Sequence, residues 1–279
     1  MRTKLFAVMA AAALALLAPS ASIADEHGEH PVLYGGTGGV GGPQDGSLII
    51  IDQQTAAVTF VGKPAGVARI AGLAFDENGR LWGSTQTAGP PPHYSNLIRI
   101  DPETGALISS VPITDGPGGP PIAISDLAVQ PETNRLFGVR APVDHLGGAG
   151  KLYKINKKTG VATFVCTGPA RFASIAFAEN GALYLATAPL EPATFIYTLD
   201  PTNCAIIRTI PTAHPYAALA VRPTDGLIWG GDGDGGNIFK IDPTTGAETL
   251  VGNTSPYLVG DLAFRTDGEN DHEQDGHDD

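Results

Sequence analysis

The sequence predicts an all-β fold, a five-bladed β-propeller with four-stranded blades, and three observations predict it. A strand-and-turn unit recurs along the chain, fullest as Leu97-Ile98-Arg99-Ile100-Asp101-Pro102-Glu103-Thr104-Gly105, with related copies at 48–52, 152–160, 196–202 and 238–246. Each copy belongs to a repeat with four short strand signals, of the roughly 40 to 55 residues typical of blades, and a lone four-stranded sheet buries both faces only by stacking on neighbours. The chain also starts with a second-type strand and ends with a first-type one. The last strand therefore completes the first blade and closes the ring, which removes open sheet edges.

The recurring unit is a third strand followed by a tight turn. Its β-branched run ends where Asp or Asn can bond the backbone ahead, proline sets φ at the first turn position, and glycine accepts the left-handed conformation that closes a hairpin. First strands are the apolar runs 70–75, 124–129, 172–177, 216–221 and 258–264. Second strands follow a polar turn such as Asp76-Glu77-Asn78-Gly79 and begin at Leu33, Leu81, Leu136, Leu183 and Ile228. Fourth strands follow the third-strand turn, as in 57–61 and 160–165.

Residues 1–24 carry Arg2 and Lys4, the apolar run 5–18 and the small-residue site Ser22-Ile23-Ala24, the layout of a secretory signal peptide. That run is too short to span a membrane. The expected product is exported to the periplasm or the extracellular space without membrane insertion. It has an acidic, histidine-containing tail over 25–31, the propeller over 32–268 and a second such tail over 269–279. The formal charge is −12. Much of it lies in the tails, and an acidic chain without basic clusters excludes nucleic acid as a partner.

Cys166 and Cys204 are the two thiols. Export permits a disulfide. The repeat alignment, however, puts Cys204 at the turn glycine and Cys166 six residues beyond the equivalent turn, at opposite ends of outer strands in neighbouring repeats. A bridge there needs distortion.

The I-D-P-x-T-G strand and turn resemble the blades of bacterial exported β-propellers of the NHL, YVTN and quinoprotein-like kind, and the resemblance covers essentially all of the mature chain. Such motifs specify fold and leave activity open. Quinoprotein blades carry a tryptophan at the end of the following strand. Here those strands carry Ile108, Phe164, Ile207 and Leu250, which argues against a quinone cofactor.

Candidate chemistry lies at the channel. Two columns depart from the apolar consensus: Gly72, Asp126, Ser174, Ala218 and Asp261 on first strands, and Thr37, Thr85, Arg140, Thr187 and Asp232 at the ends of second strands. Asp126, Arg140, Asp232 and Asp261 are read either as polar anchors at the channel mouth, for a small ligand or a cation, or as structural groups. In the structural reading Asp126 pairs with Arg140 and the other aspartates cap backbone amides. His93, His145 and His214 occupy loops of one face without the spacing of a zinc site. The stretch 232–237 reads as a tight turn, since position twelve of a calcium loop falls on Pro243. The column Tyr34, Trp82, Phe137, Tyr184 and Trp229 fills the space between sheets.

The tails bring His27, His30, His272 and His277 together on one rim, beside nine carboxylates. They are read either as solvated tails or as a divalent-metal site; cleavage after Ala24 would expose Asp25-Glu26-His27, similar to an amino-terminal copper and nickel motif. Two function classes follow. The first is a non-catalytic propeller binding a partner protein, glycan or small molecule through its loop-rich face. The alternative is a metal-dependent lactonase- or lyase-like enzyme with calcium or zinc at the channel, and metal capture by the tails is compatible with either.

Overall fold

The structure, a computed structural model, describes residues 31–38, 44–87, 93–140, 149–188, 191 and 193–266. The described residues form a five-bladed propeller. Blade 1 contains β1 (Val32–Thr37), β2 (Leu48–Ile51) and β3 (Val58–Gly62); blade 2 contains β4 (Ile70–Phe75), β5 (Leu81–Thr85), β6 (Asn96–Ile100) and β7 (Leu107–Pro112). After the short β8 (Thr114–Asp115), blade 3 follows as β9 (Asp126–Gln130), β10 (Arg135–Arg140), β11 (Lys151–Ile155) and β12 (Val161–Thr167). Blade 4 comprises β13 (Phe172–Phe177), β14 (Leu183–Thr187), β15 (Phe195–Leu199) and β16 (Ile206–Pro211). Blade 5 comprises β17 (Ala218–Val221), β18 (Ile228–Gly231), β19 (Asn237–Ile241) and β20 (Glu248–Asn253).

Ring closure is non-covalent, as expected. The last strand, β21 (Val259–Arg265), pairs antiparallel with β1 from Val32↔Arg265 to Thr37↔Val259, giving the order β21-β1-β2-β3. Blade 3 differs from the expected four strands, because β8 adds a fifth, parallel to the outer edge at Val161 and Ala162. The sequence signal for β8 is two residues long, too short to register as a strand.

Each third-strand turn is held by its own Asp or Asn. One side-chain oxygen accepts the amides two and three residues ahead: Asp52 from Gln54 and Thr55, Asp101 from Glu103 and Thr104, Asn156 from Lys158 and Thr159, Asp242 from Thr244 and Thr245. Asp200 does so with Thr202. The turn then closes through a residue of positive φ. Glycine takes that place at 105, 160 and 246, while Ala56 and Cys204 adopt the same conformation at φ 58° in the remaining two blades.

Blades pack through the second-strand aromatics. Tyr34 meets Phe75 at 5.1 Å between ring centres, Phe137 meets Phe177 at 5.3 Å, and Trp229 meets Phe264 at 5.8 Å, each ring reaching the first strand of the next blade.

A second contact repeats at every interface. The end of each outer strand touches the third-strand turn of the next blade: Gly62 lies against Thr104 and Gly105, Pro112 against Gly160, Pro211 against Gly246 and Gly252 against Thr55 and Ala56. At the remaining interface the same two positions are Cys166 and Cys204. They form a disulfide with Cα atoms 5.8 Å apart. The two sites come within reach of each other because neighbouring strands twist by roughly 20 to 25° each. Over a blade this swings the outer strand across the ring, and its far end reaches the next turn.

Candidate axial binding site

The inner strands β4, β9, β13, β17 and β21 run along the channel with one edge facing the axis. Their pairing with the second strands shows which groups face inward. Ala74 lies opposite Trp82 and the Asp76 amide donates to the Arg80 carbonyl, so Leu73 and Phe75 stand in the non-bonded pairs and aim their amides and carbonyls at the axis. The same register holds for Leu127 and Val129, Ile175 and Phe177, Leu219 and Val221, and Leu262 and Phe264.

Five inward amides at one level would be orphan donors in a protein interior, and two aspartates take them. Asp126 accepts from Leu127 at 2.5 Å and from Ile175 at 2.8 Å. Asp261 accepts from Leu262 at 2.7 Å, and from Leu73 and Leu219. Both side chains are fully buried. Gly72 leaves the space for this arrangement, since a Cβ there would lie 2.7 Å from the Leu127 nitrogen.

The two buried carboxyls also interact with each other. Burial, followed by the negative charge of Asp261, pushes Asp126 well above the carboxylate range. Burial raises Asp261 to about 7, and the bonds from Asp126, Leu73, Leu262 and Leu219 oppose that rise.

The other two candidates lie elsewhere. Arg140 does not pair with Asp126, as the structural reading expected; it faces Asp115 at 3.9 Å, because the Asp126 carboxyl turns inward to the amides. Asp232 accepts from the amides of Gly235 and Asn237 and from the Asn237 side chain, forming the tight turn expected for this stretch. Its column has one task. Thr37, Thr85, Thr187 and Asp232 each accept an amide from Ser47, Asn96, Phe195 and Asn237, across the loop that joins second and third strands. Arg140 has no acceptor for that bond.

His93 contacts the Thr87 carbonyl, and His214 pairs with Glu248 at 2.6 Å and stacks on Phe239. His145 and the tail residues His27, His30, His272 and His277 lie outside the described residues. Among the described residues no three metal-ligating side chains gather, and no helix is long and apolar enough to cross a membrane.

Beyond the aspartate pair the channel opens into a funnel of about 330 Å³. It is lined by the ends of the first strands and by the turns that follow them, so it lies on the face opposite the long second-to-third-strand loops. Asp76, Glu77, Glu132 and Glu179 stand at its rim. Asp76 is buried, accepts from the Trp82 indole at 2.9 Å and pairs with Lys157 at 3.1 Å, while Asn134 bonds both Lys157 and Glu77. Sequence reasoning missed the funnel by looking to the loops. The available signal was an alanine at one place in every first strand, at 74, 128, 176, 220 and 263, a small residue just where the channel widens.

A family model described as a repeat of unknown function, DUF6923, matches residues 125–260. The match begins at β9 and ends within β21. A comparison with curated protein sequences finds no match. Among solved structures, the chain is similar to one described as a nidogen/laminin complex, at 10% identity, TM-score 0.51, and coverage of 84% of this chain and 97% of that one. It is also similar to a putative gluconolactonase at 18% identity, TM-score 0.50, covering 81% and 80%. A third is the aldose sugar dehydrogenase of Streptomyces coelicolor in its PQQ-bound form, at 11% identity, TM-score 0.47, covering 77% and 80%. The first two likenesses are ones of fold.

Proposed function

We propose that this chain is an exported, non-catalytic propeller that binds a small molecule in the axial funnel. The observation that carries the reading is the commitment of Asp126 and Asp261. A metal-dependent lactonase- or lyase-like site needs converging carboxylates with oxygens able to ligate. Here those oxygens take an amide from every blade, and burial holds both carboxyls above the ordinary carboxylate range. Removing them for a metal would orphan buried donors, at a cost of about 1 to 3 kcal/mol each. The funnel above them is at the small end of the range for ligand pockets, roughly 300 to 1,000 Å³. Export is supported by the signal-like start and by the disulfide, which persists in oxidising compartments.

Native mass spectrometry of protein exported by a bacterial host tests this reading. Wild type should carry a small ligand, or gain one from a metabolite extract, and Glu179→Trp at the mouth should lose it. If wild type stays bare in both samples, or the tryptophan variant retains the ligand, the funnel is not the site.

A further inference from the structure

From the chemistry of the funnel wall we infer that its ligand is a small organic cation, an ammonium or guanidinium group on an apolar body. This rests on the reading that the funnel binds a small molecule. Two independent features support it.

The first is the backbone. At the level of Leu73 and its equivalents the inward amides are already taken by the aspartates, and the inward carbonyls are not. One step further out, at the level of Phe75, both groups face the axis. Each blade therefore offers two carbonyls and one amide to the cavity. A wall richer in acceptors than donors suits a ligand that brings its own N–H groups, because buried acceptors must find donors.

The second is charge. Among the described residues the lining includes Asp76, Glu77, Glu132 and Glu179 and no Lys, Arg or His. Lys157 stands behind Asp76 and offsets one of these charges. Glu132 and Glu179 are exposed at the mouth. A cleft lined by one sign of charge concentrates the opposite ion. The side chains at Leu73, Ala74 and their equivalents supply apolar surface below the rim.

The test is calorimetric titration of the full chain with three compounds of one shape: phenethylamine, 2-phenylethanol and phenylacetate. Phenethylamine should bind, and 2-phenylethanol and phenylacetate should bind at least about tenfold more weakly, a difference of ~1.4 kcal/mol. Combining Glu132→Gln with Glu179→Gln, both at exposed positions, should weaken the amine several-fold without shifting the melting temperature. Equal binding of the alcohol or the acid, abolished by Glu179→Trp, would overturn the cation inference while leaving the funnel as the site. Failure of all three compounds also overturns it, and the mass-spectrometric test then decides the funnel separately.

Discussion

Asp126 on blade 3 and Asp261 on blade 1 meet at the axis, and between them the two carboxyls accept the inward amide of all five blades. The ring is thus tied by two side chains at its axis as well as by the pairing of β21 with β1.

This pair makes stability fall as pH rises. Both carboxyls have folded pKa values above the ordinary carboxylate value, so the native state binds protons that the unfolded chain has released. The stabilisation is complete below about pH 4, where the unfolded carboxyls protonate, and is lost as pH climbs through about 7, the value of Asp261. Facing groups from the other inner strands are Gly72, Ser174 and Ala218, none of which titrates. The urea midpoint should therefore be higher at pH 5 than at pH 8. Asp126→Asn should flatten that dependence and lower stability by about 1 to 3 kcal/mol, since one amide oxygen cannot serve both Leu127 and Ile175. A wild-type midpoint that rises between pH 5 and 8 would exclude raised pKa values for this pair.

The ring and its closure were legible because a four-stranded blade repeats both its apolar alternation and its turn chemistry. The site was only partly so. Asp126 and Asp261 stood out as polar breaks in apolar strands, but their partners are backbone amides, which no sequence column displays. Asp232 stood out for the same reason and proves to be a loop cap like Thr37, Thr85 and Thr187. The funnel escaped notice because its wall is the edge of the backbone, marked in sequence by alanine alone. The disulfide stayed open in the sequence because an alignment is flat and a blade is twisted.

The inter-blade contact predicts a steep cost for a single methyl group. A Cβ on Gly62 would fall 2.1 Å from the carbonyl oxygen of Thr104, in backbone that cannot give way easily. Gly62→Ala should destabilise by about 1 to 3 kcal/mol, the usual range for overpacking. Gly66→Ala makes a control of different kind, because the space there is open and only its positive φ is strained. Chemical denaturation of both variants measures the difference. Equal and small losses would mean that the blades are not in contact at Gly62.

Asp76 should matter more than its place at the rim suggests. It accepts the Trp82 indole, the amides of Asn78 and Arg80, and the Lys157 ammonium from the next blade. Asp76→Ala leaves the indole without its acceptor and the ammonium without its counter-charge, and should cost about 2 to 4 kcal/mol. Pairing it with Lys157→Met in a double-mutant cycle isolates the ion pair. Additive losses would show that the two charges do not interact across the blades.

The disulfide joins two positions that meet without a covalent bond in the other blades. Closing a loop of 38 residues should contribute about 4 kcal/mol by restricting the unfolded chain, so reduction should lower the denaturation midpoint by that amount in free energy. The residue that replaces Cys204 then decides how much returns. Cys204 sits at φ 58°, a conformation that disfavours a Cβ and that glycine adopts in three sister turns. The double variant Cys166→Ala with Cys204→Gly should therefore be more stable than Cys166→Ala with Cys204→Ala, by about 1 kcal/mol. Ala56 adopts the same conformation in blade 1, so the alanine version should still fold. If the two double variants unfold at the same midpoint, the left-handed turn carries no such preference in blade 4.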